Sequence, residues 1–247
     1  MRRRALLAGC AGLTALAAGG TAGITFRWHA TPRREPFLTK THLQELTQLA
    51  PTPARVLFVG NSMTLRHDLP GRIRGLAEGA GQALQMATAA ANGARLIETW
   101  SIGAFRDALE LGWDILVLQD FSTTCLRAPD RWGSGFAMRS MVKAARAQGV
   151  LLYPTWAFPP RHGVYNGEAG LLARLPEDPT AFARAIMDHY GRLADAEGWR
   201  HAPVTNVMLP DATPWLEGDL HHLNPQGADY VARILWQELQ ILLSSAL

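Results

Sequence analysis

The chain has 247 residues, 48% hydrophobic and 18% charged. That composition excludes a disordered polypeptide and leaves ample apolar mass for a single α/β core. Two cysteines exclude a disulfide scaffold and a Cys-based zinc site. The formal charge of +3 is local: six of the 24 basic residues (Arg2, Arg3, Arg4, Arg27, Arg33, Arg34) lie before residue 35, a stretch without an acid, leaving 18 basic against 21 acidic residues in the remainder. No basic stripe with interleaved aromatics occurs there, so no nucleic-acid partner is expected.

The first element, residues 1–30, reads as an export signal or N-terminal anchor. Arg2-Arg3-Arg4 precede an apolar run from Ala5 to Phe26, the order read by export machinery. Arg3-Arg4-Ala5-Leu6-Leu7 resembles a twin-arginine signal, and Ala15-Leu16-Ala17 offers a small-x-small cleavage site. Two other modes stay open. A run of this length is near the roughly 20 residues that span a bilayer, which would attach the chain to a membrane through residues 5–26. Leu7-Ala8-Gly9-Cys10 resembles a lipobox. Each places the protein outside the cytoplasm, periplasmic or extracellular.

Residues 31–54, with four prolines around Leu38, Leu43, Leu46 and Leu49, read as a linker and covering helix. From residue 55 to 247 short apolar runs alternate with amphipathic stretches. Strands are predicted at Val56–Val59, Leu84–Ala89, Ile115–Leu118, Val150–Pro154 and Val204–Met208. Helices are predicted at Pro70–Gln82, Phe105–Leu111, Gly135–Gln148, Thr180–Ala196 and Pro225–Leu243. The alternation predicts a three-layer α/β/α sandwich with a mainly parallel, about five-stranded, flavodoxin-like sheet. Ligands of such sheets bind outside the carboxyl ends of the strands.

Four segments at those ends carry polar chemistry. Gly60-Asn61-Ser62 follows the first strand, where a serine either caps a helix or serves as a nucleophile whose own N–H stabilises an oxyanion. Asn92-Gly93 follows the second; its glycine is a turn residue or a second oxyanion donor. Gln119 ends the third. Asp219-Leu220-His221-His222 precedes the last helix, where Asn224 can cap and Pro225 suits the first turn. Asp219 can turn back and orient His222, which can accept the Ser62 proton. His221, its neighbour in an extended segment, is expected to point away into solvent. Trp113 and Trp236 read as core, whereas Trp156 and Trp215 read equally as core or as a substrate wall.

In this order the segments resemble the SGNH (GDSL-type) esterases and lipases across about residues 55–240. Gly60-Asn61-Ser62 is similar to the first block, with Asn where many members carry Asp, and Gly93 to the second. Asp219-Leu-His-His222 with Leu223-Asn-Pro-Gln-Gly227 is similar to the last. The resemblance implies Ser62 as nucleophile, His222 as base and then acid, Asp219 as its orienter, and Ser62 and Gly93 N–H groups in an oxyanion hole. The third block usually supplies Gly-x-Asn; here Leu118-Gln119-Asp120 stands instead, and Gln119 is the expected replacement donor. No cofactor and no metal is implied.

The α/β-hydrolase pattern Gly-x-Ser-x-Gly is absent at Ser62. The expected activity is hydrolysis of acyl esters, short-chain or acetyl and carbohydrate-linked among them, through an acyl-enzyme. The alternatives are a non-catalytic exported binding module of the same fold and a metal-dependent hydrolase built on Asp219, His221 and His222.

Overall fold

A computed structural model describes residues 37–38, 54–166, 176 and 178–246. The export segment, Cys10 and nearly all of the linker and covering helix lie outside the described residues. The exceptions are Phe37–Leu38 (β1), which forms a short strand, and Ala54, which opens the next one.

The sheet has six strands in the order β1-β3-β2-β4-β5-β6. Five are parallel: β2 (Ala54–Gly60), β3 (Leu84–Ala90), β4 (Ile115–Leu118), β5 (Gly149–Leu152) and β6 (Arg200–His201). β1 pairs antiparallel with β3 through Phe37↔Ala90 and Leu38↔Ala89. The five parallel strands carry the flavodoxin-like order, with the first strand between the second and third. β2 is apolar on both faces because helices cover both, and Val56, Leu57, Phe58 and Val59 are all buried. Val56 and Phe58, with Ile115, Val117 and Leu151 on the neighbouring strands, share one core cluster with two helices. These are α2 (Leu69–Gly79), through Leu69, Ile73 and Ala77, and α8 (Pro225–Ala246), through Val231, Leu235 and Leu239. Alternate strand residues turn to the opposite face, where α3 (Leu96–Ser101), α4 (Gly103–Glu110), α5 (Ala128–Ala145) and α6 (Pro179–Glu197) pack.

The first four predicted strands match within two residues. The fifth does not. Val204–Val207 is one turn of helix, α7, and the last strand is the two-residue Arg200–His201. The β-branched Val204, Thr205 and Val207 suit a strand by propensity, but Pro203 directly before them has no N–H to donate to a ladder. α5 begins seven residues earlier than expected because Pro129 in its first turn starts the helix and Gly133 and Gly135 are carried inside it. Two short helices at the sheet's carboxyl edge, α1 (Ser62–Leu65) and α3, have too few residues for a readable period. Trp113 and Trp236 are buried as expected.

The last helix starts as its sequence predicts. The Asn224 side chain accepts from the Gly227 N–H at 2.8 Å and donates to the Pro214 carbonyl at 2.9 Å, so one residue caps α8 and holds the preceding loop. Gly227 has no room for a side chain: a Cβ there would stand 2.2 Å from the Trp215 carbonyl oxygen. Gly227→Ala is therefore expected to destabilise the fold by about 1–3 kcal/mol through backbone displacement. Chemical denaturation measures this, and unchanged stability would contradict the close approach.

Candidate active site

The register of the central strands brings three predicted segments to one place. Gly60 pairs with Ala90, and the Gln119 N–H donates to the Val59 carbonyl at 2.9 Å. The turns after β2, β3 and β4 thus share the carboxyl edge of the sheet. Asn61 caps α1 by accepting from the Met63 N–H at 3.0 Å, and Ser62 occupies the first position of that helix, partly exposed. Gly93 adopts φ +61, the left-handed conformation expected of a turn glycine. Among the described residues neither the Ser62 nor the Gly93 N–H has a hydrogen-bond partner, leaving both available to a ligand oxygen.

The fourth segment arrives from the far end of the chain. His222 Nε2 lies 2.9 Å from Ser62 Oγ, and His222 Nδ1 lies 2.7 Å from Asp219 Oδ2. The second Asp219 oxygen accepts the backbone N–H groups of His221 and His222, each at 2.9 Å. One carboxylate therefore shapes the turn and orients the ring. Partial burial pushes the Asp219 carboxyl up, but these hydrogen bonds outweigh it and hold it at about 2. It is ionised throughout the neutral range, as an orienter of an imidazole must be.

Gln119, the expected replacement donor, is engaged beneath the serine turn. Its side chain is buried at 1% exposure. Its Oε1 accepts from the Asn61 N–H at 3.0 Å and from the Thr64 hydroxyl at 2.9 Å, and its Nε2 donates to the Asp120 carbonyl. The amide oxygen and one of the two Nε2 hydrogens are thus engaged in fixing the serine turn. The additional methylene that distinguishes Gln from Asn lets the group reach under the turn. Gly60 is required beneath it, since a Cβ there would stand 2.4 Å from Thr64 Oγ1 and 2.6 Å from Gln119 Oε1.

Two residues without an assigned role complete this scaffold. Asn61 Nδ2 donates to the Ala94 carbonyl at 3.0 Å, tying the serine turn to the glycine turn. Asp120 Oδ1 accepts from the Leu96 N–H at 2.8 Å and the Phe121 N–H at 2.7 Å, anchoring the glycine turn to β4. Burial raises the Asp120 carboxyl above the usual 3.8, and its hydrogen bonds oppose that rise. The acid next to Gln119 was the available sequence signal for Asp120. Nothing local marks Asn61 as a bridge, because its partner lies 33 residues away.

His221 also departs from expectation. Leu220 at φ +56 puts the segment in a turn, so the His221 and His222 rings lie edge to face, 4.7 Å apart at 83°. Phe158 packs on His221 at 4.8 Å and stacks on His162 at 4.1 Å. Burial, with the neighbouring His222, pulls His221 down to about 4, so this surface beside His222 is uncharged at neutral pH.

Trp156 is fully buried, and its indole N–H donates to the His221 carbonyl at 3.2 Å. It supports the histidine loop from within and presents no wall. Trp215 stacks on Tyr230 of α8 at 4.6 Å. Cys125 is buried, and burial pushes its thiol up to about 12, unsuited to nucleophilic attack. Among the described residues no group of three His, Cys, Asp or Glu is placed to hold a metal, and both His222 nitrogens are engaged.

No family model matches the sequence, and no curated protein matches it. Solved structures do. A protein classed as an SGNH hydrolase from Slackia heliotrinireducens is 22% identical at a TM-score of 0.60, over 75% of this chain and 98% of that one. The lipase/acylhydrolase from Enterococcus faecalis is 12% identical at 0.58, over 76% and 95%. A family 3 carbohydrate esterase from Clostridium thermocellum is 14% identical at 0.57, over 78% and 98%. At these identities the likeness is one of fold: the chain has the three-layer α/β/α fold of the SGNH hydrolases.

Replacing Gln119 by Leu removes the acceptor for a buried N–H and a buried hydroxyl. The expected result is a loss of about 1–3 kcal/mol in unfolding free energy. A residue serving only as an oxyanion donor would leave stability unchanged in the same titration.

Proposed function

We propose that the chain is an SGNH-type serine esterase. The observation that carries this reading is the Ser62–His222–Asp219 relay, continuous at 2.9 and 2.7 Å at the carboxyl edge of the sheet. Ser62 Oγ attacks the ester carbonyl carbon while His222 Nε2 takes its proton. Asp219 holds the ring's other nitrogen and stabilises the imidazolium. The Ser62 and Gly93 N–H groups take the oxyanion. Collapse of the tetrahedral intermediate expels the alcohol, protonated by His222, and leaves an acyl-serine. Water, activated by the same imidazole, then releases the acid.

A short acyl group on a neutral alcohol is the preferred substrate class, carbohydrate-linked acetyl esters among them. The uncharged surface of Phe158, His162 and His221 beside the base favours a neutral leaving group with hydroxyls, and one of the fold neighbours is a carbohydrate esterase. The enzyme is read as exported through its arginine-led N-terminal segment. N-terminal sequencing of protein recovered outside the cytoplasm tests this: a new terminus after Ala17 is expected of a cleaved signal, and recovery solely from the cytoplasm would refute export.

The second reading, a binding module that keeps the fold without turnover, is favoured by Gln119, whose amide holds the serine turn where the family resemblance implies an Asn donor. Hydrolysis of p-nitrophenyl acetate separates the two. Ser62→Ala and His222→Ala are each expected to lower kcat by at least about a thousandfold, and a fluorophosphonate probe is expected to label Ser62. Equal rates in wild type and both variants would refute the esterase reading and leave the binding module.

A further inference from the structure

Glu217 lies outside the Ser62–His222–Asp219 relay and touches both sides of it. Its carboxylate pairs with Arg66 and, at 2.8 Å, with His67 Nε2. Its own backbone N–H donates to the His222 carbonyl at 2.8 Å. Arg66 and His67 follow directly on α1, the helix that begins at Ser62. One residue thus joins the nucleophile's helix to the loop that carries the base, across about 150 positions of chain.

A second observation concerns the segment that Glu217 grips. His67 at φ 53 and Asp68 at φ 50 are consecutive non-glycine residues in the left-handed region. Such a conformation persists only where its surroundings hold it, and it concentrates at functional sites. The Glu217 carboxylate holds the His67 ring, and Arg72 Nε donates to the His67 carbonyl at 2.7 Å. Arg72 in turn pairs with Asp229 on α8. The strained turn is therefore pinned at its ring and at its backbone, immediately after the nucleophile's helix.

Ion pairs on an open surface contribute little to stability, and this one is partly exposed, with side-chain exposures of 44% for Arg66 and 27% for Glu217. Its position gives it another use. Transfer of the Ser62 proton needs Oγ and Nε2 held at hydrogen-bond distance, and these atoms ride on two segments with no covalent connection nearby. We infer that Glu217 is a positioning residue that sets the Ser62–His222 separation by clamping Arg66 and His67 against the histidine loop. The inference rests on the esterase reading and deepens it.

The test measures kcat, KM and thermal midpoint for Glu217→Ala, Glu217→Gln and Arg66→Ala, with Ser62→Ala and Arg139→Ala alongside. Glu217→Ala and Arg66→Ala are each expected to lower kcat by about tenfold to a hundredfold with KM changed less than about twofold, as a small misplacement of reacting groups does. The double variant is expected to lose no more than Glu217→Ala alone, because that change already removes the Arg66 contact. Glu217→Gln keeps an acceptor for one partner and is expected to recover part of the rate. Arg139→Ala removes another partly exposed ion pair, that with Glu197, and is expected to leave kcat unchanged. Wild-type kcat in either clamp variant, with Ser62→Ala inactive, overturns the clamp alone. A loss matched by Arg139→Ala, or confined to KM, also overturns it. Full activity in Ser62→Ala overturns the esterase reading and the clamp with it.

Discussion

The arrangement at the sheet edge depends on the carbonyl oxygen of one buried amide. Gln119 Oε1 accepts at once from the Asn61 N–H and the Thr64 hydroxyl, so the turn holding Ser62 is fixed to the end of β4. Both contacts are buried, where an unpaired polar group is costly and the satisfied arrangement is correspondingly specific. Asn61 then carries the constraint sideways to the Ala94 carbonyl, and Asp120 carries it to the Leu96 N–H. The ends of β2, β3 and β4 become one rigid shelf. Among the described residues, Ser62 and Gly93 keep unpaired N–H groups because the groups around them satisfy one another.

The histidine loop is built on a different plan. It has little regular structure of its own and is shaped by a few polar side chains that each serve twice. Asp219 caps the turn and holds the ring; Asn224 caps α8 and ties back the strand of chain before it. Gly227 lets the Trp215 carbonyl approach the helix start, and Trp156 props the loop at the His221 carbonyl. A long helix with one face buried thus supplies the rigidity that the loop lacks, and His222 sits three residues before it.

The sequence makes the sheet legible because its inner strands are continuous apolar runs bounded by turn residues, and because α8 repeats its apolar side chains from Ala228 to Leu243, over about four turns. Ser62, Gly93, Asp219 and His222 are legible for a related reason: each lies at a fixed offset from such an element. What could not be read depends on distance along the chain. Glu217 meets Arg66 and His67 from about 150 residues away, and no local pattern encodes that meeting. Gln119 was placed at the correct edge, but its role turned on which end of the amide met which neighbour, a matter of packing. The two-residue β6 was hidden by the β-branched residues that follow it, which tertiary context turns into a helical turn. His221 shows the same limit: one left-handed residue, Leu220, decided where its ring went.

The brevity of the outermost strands bears on how the folded protein behaves in a crowd. A parallel sheet ends in rows of unpaired backbone groups that can recruit another chain. Among the described residues the outermost ladders are two residues long, Phe37–Leu38 against Ala90 and Ala89 on one side and Arg200–His201 against Leu151 and Leu152 on the other. The Arg200 guanidinium, paired with Glu238, sets a charged group on the second flank. The margin at β6 is thus short and charged, a poor template for sheet growth. On that flank the apolar strands that make the core so legible are shielded from edge-to-edge association, a safeguard against aggregation that belongs to the architecture and is independent of the chemistry at its rim.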